Sequence, residues 1–295
     1  MRIPYNQPQI DIDTQIKLLS DEGLSFDDKE KAKHLLANIS LFRLKSYLYP
    51  LRKRGSRDFV ADSKFEQGYE LYKFDSALRK LIWAELEKIE VSIRTQLSYK
   101  MTDEAGNYWF TDSSIFSNTA IHVGVLTNIE AELRRSDDDA ILAFFRKYTD
   151  PFPPSWMTME VTSFGSLSLL YKCLKGGRSR RAVAKYYGLS DTVFSSWVHS
   201  IVYVRNICGH HGRLWNRTLR IQPVVPRRTS RPFLSMSANT QTVYYVLSII
   251  MYMLKVVNPK TTFSTRIKAL LGEHPSVKPS AMGFPKDWEK EPLWS

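Results

Sequence analysis

Apolar side chains recur every three or four residues along most of the chain, and no long stretch shows the strict alternation of a half-buried β-strand. The clearest run extends from about Tyr69 to Met101, where one apolar stripe continues from Leu71 to Leu97. A helix of that length would be roughly 45 Å long. The pattern therefore predicts an all-α, mainly α-helical fold, a helical bundle with this helix as its longest element.

Glycines and prolines divide the rest of the chain into shorter predicted helices. Residues 102–155 are the most broken part, because Gly106, Pro151, Pro153 and Pro154 interrupt the pattern. The other predicted helices are Ile12–Glu22, Asp27–Asn38, Trp156–Leu174, Arg178–Tyr187, a helix from about Asp191 to Cys208, residues 240–257 and a short helix ending at Gly272.

No shift in composition marks a domain boundary, so residues 1–295 are predicted to form a single domain. Within it we expect a basic helical N-terminal part over residues 1–60 and a Pro-rich tail over residues 273–295. The most apolar segment, Val243–Val257, is too short to cross a bilayer of roughly 30 Å and carries polar side chains. Because the N-terminus lacks the features of a secretion signal, we expect a cytoplasmic protein with no membrane partner.

The chain carries a formal net charge of +12, which favours polyanionic partners. Its basic residues are unevenly distributed, since three stretches contain Lys and Arg but no Asp or Glu: residues 43–57, 172–185 and 192–272. A protein surface that contacts only solvent usually carries both acidic and basic side chains. The distribution therefore predicts a surface that binds RNA.

The basic residues predicted to contact RNA lie in these acid-free stretches. They are Arg43, Lys45, Arg52, Lys53, Arg54, Arg178, Arg180, Arg181, Arg213, Arg217 and Arg220. Their guanidinium and ammonium groups would contact phosphates, while Tyr47 and Tyr49 would offer rings on which bases stack. Any one of these charges could instead only solvate a helix face.

The predicted helix that starts near Asp191 leads into the sequence Arg205-Asn206-x-x-x-His210. The apolar stripe of this helix consists of Val193, Trp197, Ile201, Val204 and Cys208. A polar stripe on the opposite side consists of His199, Tyr203, Asn206 and His210. An Arg five positions before a His occurs readily by chance, and the Asn after the Arg makes the pattern more specific.

The three side chains of this motif have the groups needed to cleave RNA without a metal ion. An imidazole can exchange protons with a ribose 2′-OH or a leaving 5′-oxygen, which predicts His210 as the general acid or base. The Arg205 guanidinium can hold two phosphate oxygens, and Asn206 would orient the imidazole or the phosphate. The chain lacks a phosphate-binding glycine loop and any cluster of Asp, His or Cys at metal-ligand spacing, so we predict no cofactor and no metal.

Helix geometry raises a question about this motif, because positions 205 and 210 of one ideal helix point about 140° apart. Either Gly209 ends the helix and lets His210 turn back, or a two-fold homodimer places Arg205 of one chain beside His210 of the other. A third possibility has no catalytic meaning: Asn206 and His210 form a surface i,i+4 hydrogen bond, and Arg205 solvates the helix edge.

The segment from Ser196 to Arg217 reads SWVHSIVYVRNICGHHGRLWNR. It resembles the signature SW…L…lRN.CaHH.RlWNR of the Abi-like (abortive infection) family of bacterial phage-defence proteins, whose Arg-x4-6-His element belongs to the HEPN superfamily. Four further segments agree with the family pattern in the same order: Asn38–Arg52 (NISLFRLKSYLYPLR), Ile89–Arg94 (IEVSIR), Trp156–Ser168 (WMTMEVTSFGSLS) and Met282–Trp288 (MGFPKDW).

The resemblance implies an α-helical HEPN core, a phage-defence or toxin-like role and kinship with the nuclease domains of RNA-guided type VI CRISPR effectors. It also implies control by a small noncoding RNA. Gly209 departs from the Ala of the family pattern, and we expect it to loosen the loop before His210. Glu90 and Arg94 also match the pattern and are expected to form a structural i,i+4 ion pair, whereas Glu160 is expected to be a buried hydrogen-bonding partner of the motif helix.

Together, the residues and the resemblance predict a metal-independent endoribonuclease that acts as a homodimer in phage defence. The main alternative is a noncatalytic, RNA-binding or RNA-regulated defence effector that uses the same basic surface. A further alternative is a DNA-binding regulator with a helix-turn-helix near residues 12–50, which would need an exposed recognition helix.

Overall fold

The computed structural model describes residue 4 and residues 8–295. Within that part the chain forms α-helices, short 3₁₀ turns and isolated β-bridges but no β-strand, which confirms the all-α prediction. The α-helices are α1 (Ile12–Asp21), α2 (Lys29–Ile39), α3 (Leu41–Leu48), α4 (Phe65–Ala105), α5 (Thr119–Arg135), α6 (Asp139–Lys147), α7 (Ser155–Val161), α8 (Phe164–Cys173), α9 (Arg178–Tyr186), α10 (Asp191–Gly209), α11 (Val243–Val257) and α12 (Phe263–Glu273). No helix in the described part is long and apolar enough to span a bilayer.

Helix α4 is the long helix that the apolar stripe predicts, and it extends over 41 residues. Seven of the eight stripe positions are buried, while Leu71 at the start of the stripe is only partly buried. These positions are buried together because residues three and four apart lie on one face of a helix. The buried members are Phe74, Leu78, Ile82, Leu86, Ile89, Ile93 and Leu97.

The chain divides into two compact units, with the division falling within α4. The first unit contains the residues up to Leu78 together with Leu270–Val277, and the second contains Arg79–Ala269 and Lys278–Ser295. The prediction of a single domain over residues 1–295 stays a prediction.

The first unit has a core of aliphatic and aromatic side chains from α1, α2, α3 and the start of α4. Asp11 caps α1 and Asp28 caps α2, each accepting a hydrogen bond from a backbone N–H of the first turn. Tyr47 of α3 is 2% exposed, and its hydroxyl donates to Asp75 Oδ2 at 2.6 Å. The expectation that Tyr47 offers a ring for base stacking is therefore wrong.

The second unit places α10 at its centre, packed against α8, α9 and α11. Trp197 of α10 is fully buried, donates through Nε1 to the Val224 carbonyl at 3.0 Å and lies against Phe233 and Tyr252. All five residues of the predicted apolar stripe of α10 are buried. The apolar pattern therefore correctly predicts the face by which the motif helix is held.

One predicted helix, Trp156–Leu174, is wrong, because the segment forms α7 and α8 with a break between them. Thr162 Oγ1 donates to the Thr158 carbonyl at 2.7 Å, and Ser163 Oγ accepts from the Ser166 backbone N–H at 3.2 Å. Such side chains compete with the helix for backbone groups and favour helix ends. The apolar pattern continues across the break and conceals it.

Residues 278–295 of the Pro-rich tail belong to the second unit, whereas residues 273–277 belong to the first. Glu291 is 1% exposed, and its carboxylate accepts hydrogen bonds from the Ser235 backbone N–H at 2.9 Å and the Met236 backbone N–H at 2.8 Å. Trp294 is fully buried. The tail thus anchors part of the connector between α10 and α11.

Candidate functional site

The end of α10 carries the Arg-Asn-x3-His motif. The helix continues through Gly209, and the backbone N–H of His210 still donates to the Asn206 carbonyl at 3.0 Å. The chain reverses only afterwards, at His211 (φ 55°), where Gly212 N–H donates to the Ile207 carbonyl at 2.8 Å. This pair of features is a Schellman helix end with His211 in the left-handed position.

This geometry answers one of the questions that the spacing leaves open. Gly209 does not let His210 turn back, because the reversal follows His210 instead of preceding it. The expectation that Gly209 loosens the chain before His210 is also wrong. Within one chain, Arg205 and His210 keep the separation of about 140° around the helix axis.

Asn206 and His210 are exposed, one turn apart on the same face of α10. Asn206 Oδ1 accepts from Arg205 Nη1 at 3.5 Å, a weak hydrogen bond at most. Within the described residues no hydrogen bond joins the Asn206 and His210 side chains, so the noncatalytic interpretation of this pair lacks its expected contact.

The other two positions of the predicted polar stripe, His199 and Tyr203, are only half exposed. Burial lowers the pKa of His199, and the charge of Lys172 lowers it further. Asn206 and His210 are therefore the two members of this stripe that face solvent.

Arg205 is held against α4. Its guanidinium lies over the Trp83 ring, with Cζ 4.9 Å from the ring centroid, and its Nε is 3.9 Å from Glu90 Oε2. A Cβ added at Gly209 would come within 2.8 Å of Trp83 Cζ3. Gly209 thus leaves the space in which Trp83 lies, and Trp83 in turn supports the guanidinium by a cation–π contact.

Glu90 and Arg94 form the predicted ion pair, with Arg94 Nη2 2.6 Å from Glu90 Oε1. Arg94 also donates to the Thr162 carbonyl at 2.9 Å. The Glu90 carboxylate therefore lies between two guanidinium groups, those of Arg94 and Arg205. The expectation for Glu160 is wrong, because that residue is exposed on α7.

A small open cleft of about 210 Å³ adjoins Arg205. It is smaller than typical small-molecule sites, which span roughly 300–1,000 Å³. Two guanidinium groups, two carboxylates and the Trp83 ring border it, so the positive and negative side chains of its lining balance. The lining residues are Trp83, Leu86, Glu87, Glu90, Val91, Arg94 and Arg205.

The basic residues that follow α10 differ in their surroundings. Arg213 Nη1 donates to the carbonyls of Trp215 and Asn216, both at 2.9 Å, and Arg217 Nη1 donates to the Arg213 carbonyl at 3.1 Å. Arg220 is exposed. Arg213 and Arg217 therefore brace the loop behind the motif while part of each side chain reaches solvent.

The predicted RNA-binding residues of α9 are also of two kinds. Arg178 and Arg181 are exposed. Arg180 is turned inward, where it donates to the Leu174 carbonyl, lies 3.4 Å from Asp191 Oδ2 and covers the Tyr171 ring. Their contacts with RNA stay predictions, and the surroundings of Arg180 are those of a structural residue.

In the first unit, Arg43, Lys45, Lys53 and Arg54 are exposed. Arg52 differs from these four residues because it has partners within the protein. Its Nη2 is 2.8 Å from Glu22 Oε2, and its guanidinium lies over the Phe59 ring, 4.2 Å from the ring centroid. No local sequence pattern predicts these contacts of Arg52, because Glu22 and Phe59 are distant from it in the helical pattern. Phe42, beside Arg43, is 89% exposed, and the sequence pattern did not predict an exposed ring there.

No group of three or more His, Cys, Asp or Glu side chains in the described part of the chain is arranged to hold a metal ion. The two cysteines, Cys173 and Cys208, are buried and not bonded to each other.

The fold and the site define an all-α protein with an Arg-Asn-x3-His motif displayed at a helix end. The model of the Abi-like protein family matches residues 34–216, which is more than half of the chain and includes the whole motif. The chain belongs to the Abi-like protein family, and this membership suggests phage defence by abortive infection. No curated protein and no solved structure matches the chain.

Proposed function

We propose that the protein is a metal-independent endoribonuclease of the HEPN type that acts in abortive infection as a toxin-like effector. The observation that carries the proposal is the end of α10, where the exposed His210 and Asn206 lie one turn apart and the partly exposed Arg205 directly precedes Asn206. The net charge of +12 supports RNA as the substrate.

In the proposed reaction the ribose 2′-oxygen attacks the adjacent phosphorus and the bond from phosphorus to the 5′-oxygen breaks. His210 takes the proton from the 2′-OH or delivers a proton to the leaving 5′-oxygen. Arg205 binds the phosphate oxygens as negative charge develops on them, and Asn206 orients the imidazole or the phosphate. The products are a 2′,3′-cyclic phosphate and a 5′-OH.

The proposed active site is shared between two chains. Arg205 and His210 point to different sides of α10 within one chain, since the helix continues through Gly209. A two-fold homodimer would place the Arg205 of one protomer beside the His210 of its partner.

The proposed chemistry predicts cleavage of RNA that persists in EDTA and leaves a 2′,3′-cyclic phosphate with a 5′-OH. Replacing the scissile ribose by 2′-deoxyribose should abolish cleavage at that site, because the attacking oxygen is then absent. Mass spectrometry of the reaction products identifies their ends and shows whether the 2′-deoxy substrate is cleaved. Cleavage of the 2′-deoxy substrate, or a 3′-OH product, would contradict the proposed role of the 2′-oxygen.

The shared site predicts complementation between two inactive variants. In an equilibrated equal mixture of Arg205→Ala and His210→Ala proteins, half of the dimers combine the two variants, and each of these has one intact site. We therefore expect about one quarter of the wild-type cleavage rate.

Differently tagged variants allow formation of the mixed dimer to be checked by co-purification. No recovered activity in a confirmed mixed dimer would place the complete site within one chain. Cleavage by a protein that light scattering shows to be a monomer would contradict the shared site in the same way.

The second candidate is a noncatalytic RNA-binding effector, whose partner would be a target RNA or a regulatory small noncoding RNA. It is favoured by the contacts of Arg205, whose guanidinium already lies against Trp83 and near Glu90. RNA binding by the purified wild-type protein without any cleavage would support this candidate over the nuclease.

A further inference from the structure

The outer face of α3 in the first unit combines two highly exposed aromatic rings with basic side chains. Phe42 is 89% exposed, the most exposed of the large hydrophobic side chains in the described part of the chain, and Tyr49 is 73% exposed. Arg43 and Lys45 are also exposed. The opposite face of α3 is buried through Leu41, Leu44, Tyr47 and Leu48.

The spacing of the two rings places them on one side of the helix. Tyr49 directly follows α3 and keeps helical backbone angles, with φ −52° and ψ −42°. Positions 42 and 49 therefore lie within about 20° of each other around the axis and about 10 Å apart along it. The rings are too far apart to share one base, but a single strand passing along α3 could place a different base on each.

We propose that Phe42 and Tyr49 form a stacking surface for the unpaired bases of single-stranded RNA, with Lys45 contacting the phosphates between them. An aromatic ring stacks on any base with little dependence on sequence, and nearby cations bind the backbone. The inference rests on the proposed function only for the choice of RNA as the polyanion.

The charges around the rings favour a nucleic acid over a protein partner. Residues 43–57 contain no Asp or Glu, and Lys53 and Arg54 in the following loop are exposed. A protein-binding patch of comparable aromatic exposure would gain nothing from these neighbouring basic side chains unless its partner were acidic. Duplex RNA cannot use the rings, since its bases are already stacked within the helix.

The test uses the full chain with His210→Ala, so that cleavage cannot consume the probe. The probe is a short fluorescein-labelled RNA of mixed sequence without self-complementarity, and binding is measured by anisotropy at several salt concentrations. Phe42→Leu keeps an apolar side chain but removes the ring, and we expect it to weaken binding about 5- to 150-fold, with a similar loss for Tyr49→Leu. Phe42→Trp keeps an aromatic ring at this position and should bind the probe like the parent protein.

Charge and stacking can be separated in the same assay. Phe42→Leu should leave the salt dependence of binding unchanged, whereas Lys45→Ala should make it less steep because one phosphate contact is lost. Binding of a perfectly paired RNA duplex should not change with Phe42→Leu. Tyr99→Ala, which removes a 62% exposed ring from α4, is the matched control and should bind RNA like the parent protein.

Unchanged binding with Phe42→Leu and Tyr49→Leu would overturn the stacking surface. The stacking surface would also be overturned if Phe42→Leu weakened binding of duplex and single-stranded RNA equally, or if Tyr99→Ala weakened binding as much as Phe42→Leu. Neither result requires base stacking at α3. Tighter binding of single-stranded DNA of the same sequence would overturn the choice of RNA. Cleavage by the protein with native His210 is scored separately, so failure of the nuclease proposal leaves these outcomes distinct.

Discussion

Replacing His210 by alanine should lower RNA cleavage by at least about 100-fold, the loss typical of a general acid–base group. The side chain is exposed at the end of α10, so its removal should not disturb the core. RNA affinity should stay close to that of the wild type, because the basic surface keeps all of its Lys and Arg residues. Single-turnover cleavage and anisotropy binding measure the two quantities on the same preparation.

The matched control for this variant is His211→Asn, which removes the neighbouring imidazole. Asn tolerates the left-handed backbone angle of position 211, whereas most other residues do not. We expect His211→Asn to retain most of the cleavage activity. Cleavage that survives His210→Ala in purified protein would refute the catalytic role of His210, and selective loss in His211→Asn would move that role one residue along the chain.

Replacing Trp197 by alanine should lower the free energy of unfolding by about 3–5 kcal/mol. The ring is fully buried, and the substitution removes both its packing against Phe233 and Tyr252 and its hydrogen bond to the Val224 carbonyl. Equilibrium denaturation monitored by circular dichroism measures the change. Because α10 also carries the candidate site, RNA cleavage by this variant should be lost under the conditions that unfold the helix.

Trp156→Ala is the matched control for this prediction. Trp156 lies on α7 with 46% of its surface exposed, so truncating it should change the free energy of unfolding by less than about 1 kcal/mol. Similar losses in the two variants would mean that burial of Trp197 does not hold α10 in place.

The local features of the chain were predictable from sequence because they depend on neighbouring residues. The apolar stripes of α4 and α10 are buried as their spacing predicts, and the Glu90–Arg94 pair forms because residues four apart meet on one helix face. The break between α7 and α8 escaped prediction, since it depends on whether Thr162 and Ser163 bond to the backbone or remain in a helix.

The Arg-Asn-x3-His motif could likewise be found from sequence, but its geometry could not. The spacing left open where the chain reverses, and the helix end places that reversal at His211. The contact of Arg205 with Trp83 joins residues far apart in the chain, so no local pattern could reveal it.

The sequence by itself determined that the protein is helical and basic, and that it carries the motif in the last turns of α10. Only the tertiary structure decided which basic and aromatic side chains are available to a partner. Glu22 engages Arg52, and Asp75 engages Tyr47, while Phe42 and Tyr49 are left exposed. The physical reason is that exposure and charge pairing depend on partners distant in sequence, whereas helix periodicity and capping depend on residues within about one turn.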